Sequence, residues 1–227
     1  MVRTRFAPRV AAQGFICLAL IVLAACVPTV QRAGSPLDTF AGPRFEPAAE
    51  RFISFDGAEL GLTAWLPAND EEPRAVIIAL HGMNDYSHAF VATGDYMKAQ
   101  GIAVYAYDQR GFGAAANPGI WGNNENLKQD LKQFVVLISK HHPRTPLYIL
   151  GESMGGAVAI AALANVDFPA IKGVVLSAPA VWGGDSMNPI MRGMLWAMAH
   201  TVPSRTMTGR DLKIKASDNI PMLIALG

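Results

Sequence analysis

The sequence has few residues that could hold a fold together by covalent or ionic bonds. Its only cysteines, Cys17 and Cys26, lie near the N-terminus, so no disulfide framework holds the body of the chain. Charged residues make up 16% of the 227 residues and hydrophobic residues 51%, a composition that excludes an intrinsically disordered protein. A hydrophobic core must therefore stabilise the fold.

A surplus of positive charge is also absent from the body of the chain. Arg3, Arg5 and Arg9 precede residue 26, a stretch without any Asp or Glu, and the remaining 16 basic residues face 18 acidic ones. Such a balance gives no basic surface for a nucleic acid, so nucleic-acid binding is not expected.

No apolar run is long enough to span a bilayer. The longest, residues 14–25, would rise only about 18 Å as a helix, short of the ~30 Å hydrocarbon core. Arginines before the run and small residues at its end predict a secretory signal peptide over residues 1–25. A short buried helix is the alternative, but the run has no amphipathic pattern.

The run ends in Leu23-Ala24-Ala25-Cys26, which resembles the lipobox of bacterial lipoproteins. The resemblance implies that Cys26 becomes the N-terminus and carries acyl chains that hold the protein at a membrane of the bacterial cell envelope. Val27 in place of Asp favours the outer membrane. Residues 26–50 hold four prolines and no apolar periodicity, and are predicted to form a tether between the lipid anchor and the domain.

From residue 51 onward, strand and helix patterns alternate. A hairpin is predicted over residues 51–56 and 59–66, and apolar strands over residues 75–80, 102–107, 147–150 and 173–177, the first two buried on both faces. One amphipathic helix follows from the spacing of Leu127, Leu131, Phe134, Val135 and Ile138, with Asn123 or Asn124 as its cap. This alternation predicts an α/β fold with a mostly parallel sheet and helices on both faces.

The segment Gly151-Glu152-Ser153-Met154-Gly155-Gly156 joins a predicted strand directly to a small-residue helix. Gly151 and Gly155 stand where side chains would collide across so tight a turn. The turn should force Ser153 into a strained backbone conformation at a helix N-terminus, where free N–H groups stabilise negative charge. This setting is typical of a catalytic serine.

Three motifs together resemble the α/β-hydrolase family, close to its monoacylglycerol lipase and lysophospholipase group. They are the serine turn, His81-Gly82-Met83 after one strand, and Asp108-Gln109-Arg110-Gly111-Phe112-Gly113 after the next. The resemblance implies that Ser153 is the nucleophile and that the backbone N–H groups of Met83 and Met154 form the oxyanion hole. It implies a lipid-like ester substrate and no cofactor.

Other polar residues are interpreted as structural. His81 precedes the serine, whereas this family orders its triad as Ser, Asp, His, so His81 should hold the oxyanion loop in place. Asp108 and Arg110 should satisfy the polar groups of their own turn. His141 and His142 have no third ligand at a suitable spacing, so no metal site is predicted.

The core is predicted to occupy residues 51–178 and a cap to occupy residues 179–227. Ile190, Met191, Met194, Leu195 and Met198 have helical spacing, and could either present apolar side chains to an acyl chain or pack against the sheet. His200 is the only histidine after Ser153, and it lies within this cap. Asp167, Asp185, Asp211 and Asp218 are its possible partners.

The last two core strands, with the Asp and His of a triad, are not recognisable before Gly227. The sequence is therefore expected to be an inactive N-terminal fragment, with a rearranged triad as the alternative. Two competing functions stay open beside ester hydrolysis: peptide hydrolysis of the proline-iminopeptidase type, and a non-catalytic envelope lipoprotein. An intact serine turn disfavours the second of these.

Overall fold

The computed structural model describes residues 28–36, 38–68, 72–165, 167–169, 171–181 and 187–202. The strands are β1 (Arg44–Glu46), β2 (Arg51–Ile53), β3 (Glu59–Trp65), β4 (Ala75–Leu80), β5 (Ile102–Tyr107), β6 (Leu147–Glu152) and β7 (Gly173–Ser177). The helices are α1 (Val91–Ala99), α2 (Asn124–His141), α3 (Met154–Asn165) and α4 (Pro189–Thr201), with short 3-10 turns at Pro47–Ala49 and Ser87–Phe90. The signal segment and Cys26 lie outside the described residues.

All seven strands form one mixed sheet in the order β1-β2-β3-β5-β4-β6-β7. The pairs β1–β2, β2–β3 and β3–β5 are antiparallel. The pairs β5–β4, β4–β6 and β6–β7 are parallel. Since helices connect the parallel strands, the prediction of a mostly parallel α/β sheet is confirmed.

The apolar runs predicted as central strands are buried as expected. Strands β4 and β5 lie in the middle of the sheet, and most residues of each are buried. The apolar run of β7 differs, because β7 is the outermost strand of the sheet among the described residues. Val175 there is 57% exposed, and Val174 and Leu176 are also exposed.

Helices cover both faces of the sheet. Helix α2 presents its predicted apolar stripe to the larger core cluster, which also contains Val158 and Ala159 of α3. The side chain of Asn123 accepts the N–H of Glu125 at 3.0 Å and caps α2 as predicted. On the other face, Phe90 and Met97 beside α1 pack with Trp65 in a second cluster. Two hydrophobic layers therefore enclose the sheet.

The body begins earlier in the chain than predicted. Strand β1 pairs with β2, so residues 44–46 belong to the sheet and not to a tether. Residues 30–34 are also hydrogen-bonded to the body, as Gln31 donates its backbone N–H to the carbonyl of Trp121 at 2.8 Å. The predicted strand over residues 51–56 ends at Ile53, because Asp56 and Gly57 form the turn into β3.

Two compact units divide the chain, and Val30–Ser186 forms the larger one. Helix α4 belongs to the other unit and confirms the helical spacing of its methionines, with Asn188 as its N-cap. Among the described residues, no helix has both the length and the apolar character needed to cross a membrane.

Candidate active site

The predicted site residues lie at one edge of the sheet. Parallel strands β4, β5 and β6 are neighbours, so their carboxyl ends lie side by side. His81 follows β4, Asp108 follows β5, and Ser153 follows β6. Such an edge is where open α/β sheets place their ligand sites.

Ser153 has an unusual backbone conformation. Its φ of +47° lies in the left-handed region, which side chains other than glycine adopt at a cost of about 1–3 kcal/mol. The surrounding hydrogen bonds keep it there: its N–H donates to the carbonyl of Ser177 at 2.9 Å, and its carbonyl accepts the N–H of Ala180 at 2.9 Å. The turn is therefore fixed from the β7 side as well as by α3.

Glycine is required on both sides of this serine because the backbones approach closely. A Cβ added to Gly155 would lie 2.2 Å from the carbonyl oxygen of Leu80 at the end of β4. A Cβ on Gly151 would lie 2.7 Å from the Cα of Gly156. These contacts let α3 start directly at the sheet edge, and Ser153 is the residue at which the strand becomes the helix.

The loop after β4 lies against the serine. A Cβ added to Gly82 would be 3.4 Å from the Cβ of Ser153, so the loop backbone passes beside the serine side chain. Met83 follows this glycine, and Met154 is the first residue of α3, where backbone N–H groups have no partner within the helix. Two N–H groups on either side of a serine can stabilise an oxyanion.

His81 is buried, and its two ring nitrogens join this loop to the loop after β5. Its Nε2 accepts the N–H of Gln109 at 2.9 Å, which leaves Nδ1 to donate to the carbonyl of Gly82 at 2.8 Å. Burial lowers the pKa of His81, and this outweighs the Gly82 carbonyl and the Asp108 carboxylate, which favour the charged form. A neutral imidazole with both nitrogens bonded has none free to accept a serine proton.

The carboxylate of Asp108 connects two loops at the site edge. It accepts the N–H of Ser87 at 2.8 Å and that of Ala114 at 2.7 Å. The interpretation of Asp108 as a residue that satisfies its own turn is therefore confirmed. Its position also keeps the loop that follows β5 close to the loop that follows β4.

Arg110 binds two buried carboxylates rather than its own turn. It donates two hydrogen bonds to Asp130 of α2 at 2.7 Å and two to Asp56 of the β2–β3 turn at 2.8 Å. Burial would raise the pKa of Asp56, but the hydrogen bonds from Arg110 and from the Gly34 N–H hold it below its usual range. We call Arg110, Asp56 and Asp130 the arginine cluster.

The sequence could not identify the partners of Arg110. Asp130 lies 20 residues away and Asp56 lies 54 residues away, each within an ordinary polar turn or helix pattern. Ser177 and Ala180, which fix the serine turn, were also missed. The available sequence signal was Ser177-Ala178-Pro179 at the end of the apolar run of β7. In the structure Ala178 has a φ of +43°.

Of the residues predicted as partners of Ser153 in a triad, the structure describes His200 and Asp167. His200 lies in α4, where its Nδ1 donates to the carbonyl of Trp196 at 2.7 Å and its ring stacks on that indole. Asp167 follows α3 at the surface. The candidates Asp185, Asp211 and Asp218 lie outside the described residues.

Solved structures share this architecture. A soluble variant of monoglyceride lipase from Saccharomyces cerevisiae superposes with a TM-score of 0.58 at 25% identity, covering 80% of this chain and 60% of that one. A carboxyl esterase from Bacillus coagulans gives a TM-score of 0.55 at 18% identity, covering 82% of this chain and 64% of that one. The α/β-hydrolase fold predicted from the sequence is thereby confirmed.

Proteins with similar sequences are also α/β-hydrolases, among them monoacylglycerol lipases. A monoacylglycerol lipase of Mycolicibacterium smegmatis is 26% identical over 74% of this chain, and the monoglyceride lipase of Rattus norvegicus is 28% identical over 57% of it. The matches cover 59% and 42% of those two proteins, so this chain spans about half the length of these relatives. The family model described as serine aminopeptidase S33 matches residues 71–226, and the chain belongs to this family of α/β-hydrolases.

Proposed function

We propose that this protein is a serine hydrolase that cleaves lipid-like carboxylic esters, with monoacylglycerols or lysophospholipids as its substrates. The observation that carries the proposal is the left-handed backbone of Ser153 at the start of α3, beside the Gly82 loop. A strained serine at this junction has no use in a module that only binds. Relatives described as monoacylglycerol lipases support the lipid-like substrate.

The reaction would proceed through an acyl-enzyme on Ser153. The Oγ attacks the ester carbonyl, and the N–H groups of Met83 and Met154 hold the negative oxygen. The bond to the alcohol then breaks, and the alcohol leaves with the proton that the serine gave up. Water attacks the acyl-enzyme in turn, which releases the fatty acid and restores the serine.

A base other than His81 must move the proton between these groups. One nitrogen of His81 is bonded to Gly82 in the oxyanion loop and the other to Gln109 after β5, so that residue positions the loop and does not exchange a proton with Ser153. In serine hydrolases the base is usually a histidine that an acidic residue orients.

The nucleophile is tested by fluorophosphonate labelling of the full-length protein. Labelling should modify Ser153 and should be lost in Ser153→Ala. Ser177→Ala is the matched control, because only the backbone carbonyl of Ser177 contacts the turn, and it should label as the wild type does. Labelling that persists in Ser153→Ala would show another nucleophile.

Peptide hydrolysis is the second candidate, because the matching family is described as a serine aminopeptidase. The two functions are separated by comparing kcat/KM for a monoacylglycerol with that for a proline anilide, each measured for the wild type and Ser153→Ala. The ester should be the better substrate. A higher kcat/KM for the anilide would assign the protein to the peptidases.

The place of action would be a bacterial envelope membrane, to which a lipid on Cys26 attaches the protein. The support is the sequence Leu23–Cys26 at the end of a short apolar run. Expressed with its signal segment, the protein should partition into detergent and carry acyl chains on Cys26. Unchanged processing and partition in Cys26→Ser would contradict the anchor.

A further inference from the structure

The chain just after Cys26 is attached to the body within a few residues. The Gln31 side chain donates to the carbonyl of Ile120 at 2.7 Å, and Asn126 of α2 donates to the carbonyl of Gln31 at 3.2 Å. The backbone N–H of Gly34 donates to the Asp56 carboxylate at 2.8 Å, and Val30 forms a parallel bridge with Trp121. We call this set of contacts the clasp.

The clasp limits how far the domain can move from a lipid on Cys26. Val30 is the fourth residue after Cys26, and a fully extended chain of four residues reaches at most about 14 Å. A linker of roughly 20 flexible residues would instead span about 25 Å and allow free rotation. An anchored domain would therefore be held with the clasp facing the bilayer.

The loop over residues 111–124 beside the clasp has a composition that a lipid interface accepts, and charged residues begin after it with the exposed Glu125. Residues 111–124 contain no charged residue, and Ala116, Asn117 and Pro118 at their centre are exposed. Trp121, a residue type enriched at membrane interfaces, lies half-buried at the clasp itself. Close by, the exposed Arg32 offers a positive charge to anionic headgroups.

The opposite end of α2 has a different character. That helix runs for 18 residues, about 27 Å, from the uncharged loop to His141. Around its C-terminus lie Lys140 and Arg144, and Arg144 pairs with Glu72 at 2.9 Å. That end therefore has no uncharged surface comparable with residues 111–124.

The clasp and the serine turn lie on the same side of the domain. Trp121 and Met154, the residue after Ser153, line one cavity of about 250 Å³ together with Leu127 and Val158. We propose that the clasp orients the domain so that residues 111–124 face the lipid bilayer that carries the anchor, which places the serine turn near that bilayer. This inference rests on the proposed anchor at Cys26.

Hydrogen exchange of the full-length protein in lipid vesicles tests the orientation. Vesicles of phosphatidylethanolamine and phosphatidylglycerol should slow deuterium uptake across residues 113–122 relative to the Cys26→Ser protein in solution. Uptake across residues 140–146 should stay unchanged. Equal slowing at both ends of α2, or slowing only at residues 140–146, would overturn the proposal.

A lengthened linker supplies the control. About 20 Gly and Ser residues inserted between Val27 and Pro28 leave the clasp intact but allow it to lie farther from the lipid. Uptake across residues 113–122 should then return to the solution value, while hydrolysis of a soluble ester stays the same. Slow uptake that survives the insertion would show that the clasp does not set the orientation.

A second preparation distinguishes failure of the anchor proposal from failure of the orientation proposal. If Cys26 carries no acyl chain in cells, the anchor proposal fails, and the protein starting at Cys26 is coupled through that thiol to a maleimide-bearing lipid. The same exchange pattern is expected from the coupled protein. An unchanged rate across residues 113–122 in that preparation would overturn the orientation independently of the anchor.

Discussion

The serine turn and the arginine cluster lie at the same edge of the sheet, and they keep their shapes by opposite means. At Ser153 the backbone is held by the absence of side chains at Gly151 and Gly155, and by hydrogen bonds to the backbone of Ser177 and Ala180. At Arg110 the loop is held by four ionic hydrogen bonds. Close packing and backbone hydrogen bonds fix the first region, and buried charge fixes the second.

The difference matters for chemistry at the edge. A nucleophilic serine benefits from uncharged surroundings, in which helix N–H groups act on the developing oxyanion without competing charges. In the arginine cluster, the positive charge of Arg110 is paired with the carboxylates of Asp56 and Asp130, beside the β2–β3 turn. Charge can therefore stabilise the loop after β5 without being part of the serine turn.

Removing Arg110 should cause the largest loss of stability. Arg110→Ala leaves Asp56 and Asp130 buried without their partner, a change that typically costs about 3–5 kcal/mol. Urea unfolding of the full-length protein measures the free energy of unfolding. Arg144→Ala is the matched control, since its exposed pair with Glu72 is worth about 0–1 kcal/mol. Equal losses in the two variants would show that burial adds nothing to the arginine cluster.

Adding one methyl group at the serine turn should cost somewhat less. Gly155→Ala places a Cβ 2.2 Å from the Leu80 carbonyl oxygen, so α3 must shift, at an expected cost of about 1–3 kcal/mol. Gly193→Ala in α4 meets open space, and should change stability little or raise it by up to about 1 kcal/mol. Urea unfolding compares the two. A Gly155→Ala protein as stable as the wild type would refute the packing argument.

These two regions also differ in how far the sequence revealed them. The serine turn was predictable because its determinants lie within six consecutive residues, and strands β4 and β5 were predictable from continuous apolar runs. The partners of Arg110 were not, since nothing local marks which buried carboxylate an arginine will bind.

The N-terminal region shows the same limit. Prolines and the lack of periodicity predicted a tether up to residue 50, whereas β1 and the clasp attach this segment to the body. The clasp uses backbone groups and the amides of Gln31 and Asn126, which leave no periodic pattern in the sequence. Contacts of this kind depend on the folded positions of distant segments, so composition cannot reveal them.

Protonation of His81 should make the free energy of unfolding depend on pH. Burial lowers the pKa of His81 in the folded protein below the ordinary value of 6.5 that it has in the unfolded chain. At a pH between the folded and the unfolded pKa, the unfolded chain binds a proton that the folded chain does not. Stability should therefore fall as the pH drops below about 6.5, by up to about 1.4 kcal/mol per pH unit for one such group. Urea unfolding at pH 7.5 and pH 5 should show a shallower dependence in His81→Gln.

A second histidine is the control for this effect. Burial and the neighbouring His141 also lower the pKa of His142, but its ring is only half-buried, so His142→Gln should reduce the pH dependence less. The arginine cluster is intact in both variants. A dependence that is unchanged in His81→Gln would mean that the folded protein accepts a proton at this loop.

The smallest effect concerns the strain at the serine itself. Ser153→Gly removes the Cβ from a residue with a φ of +47°, and relief of the strain should exceed the extra freedom glycine gives the unfolded chain. The free energy of unfolding should then rise by up to about 1 kcal/mol. Ser153→Ala keeps the Cβ and should stay near the wild type, while neither variant reacts with a fluorophosphonate. A glycine variant less stable than the alanine variant would mean that the surrounding hydrogen bonds already favour a side chain there, and that the serine turn is not held under strain.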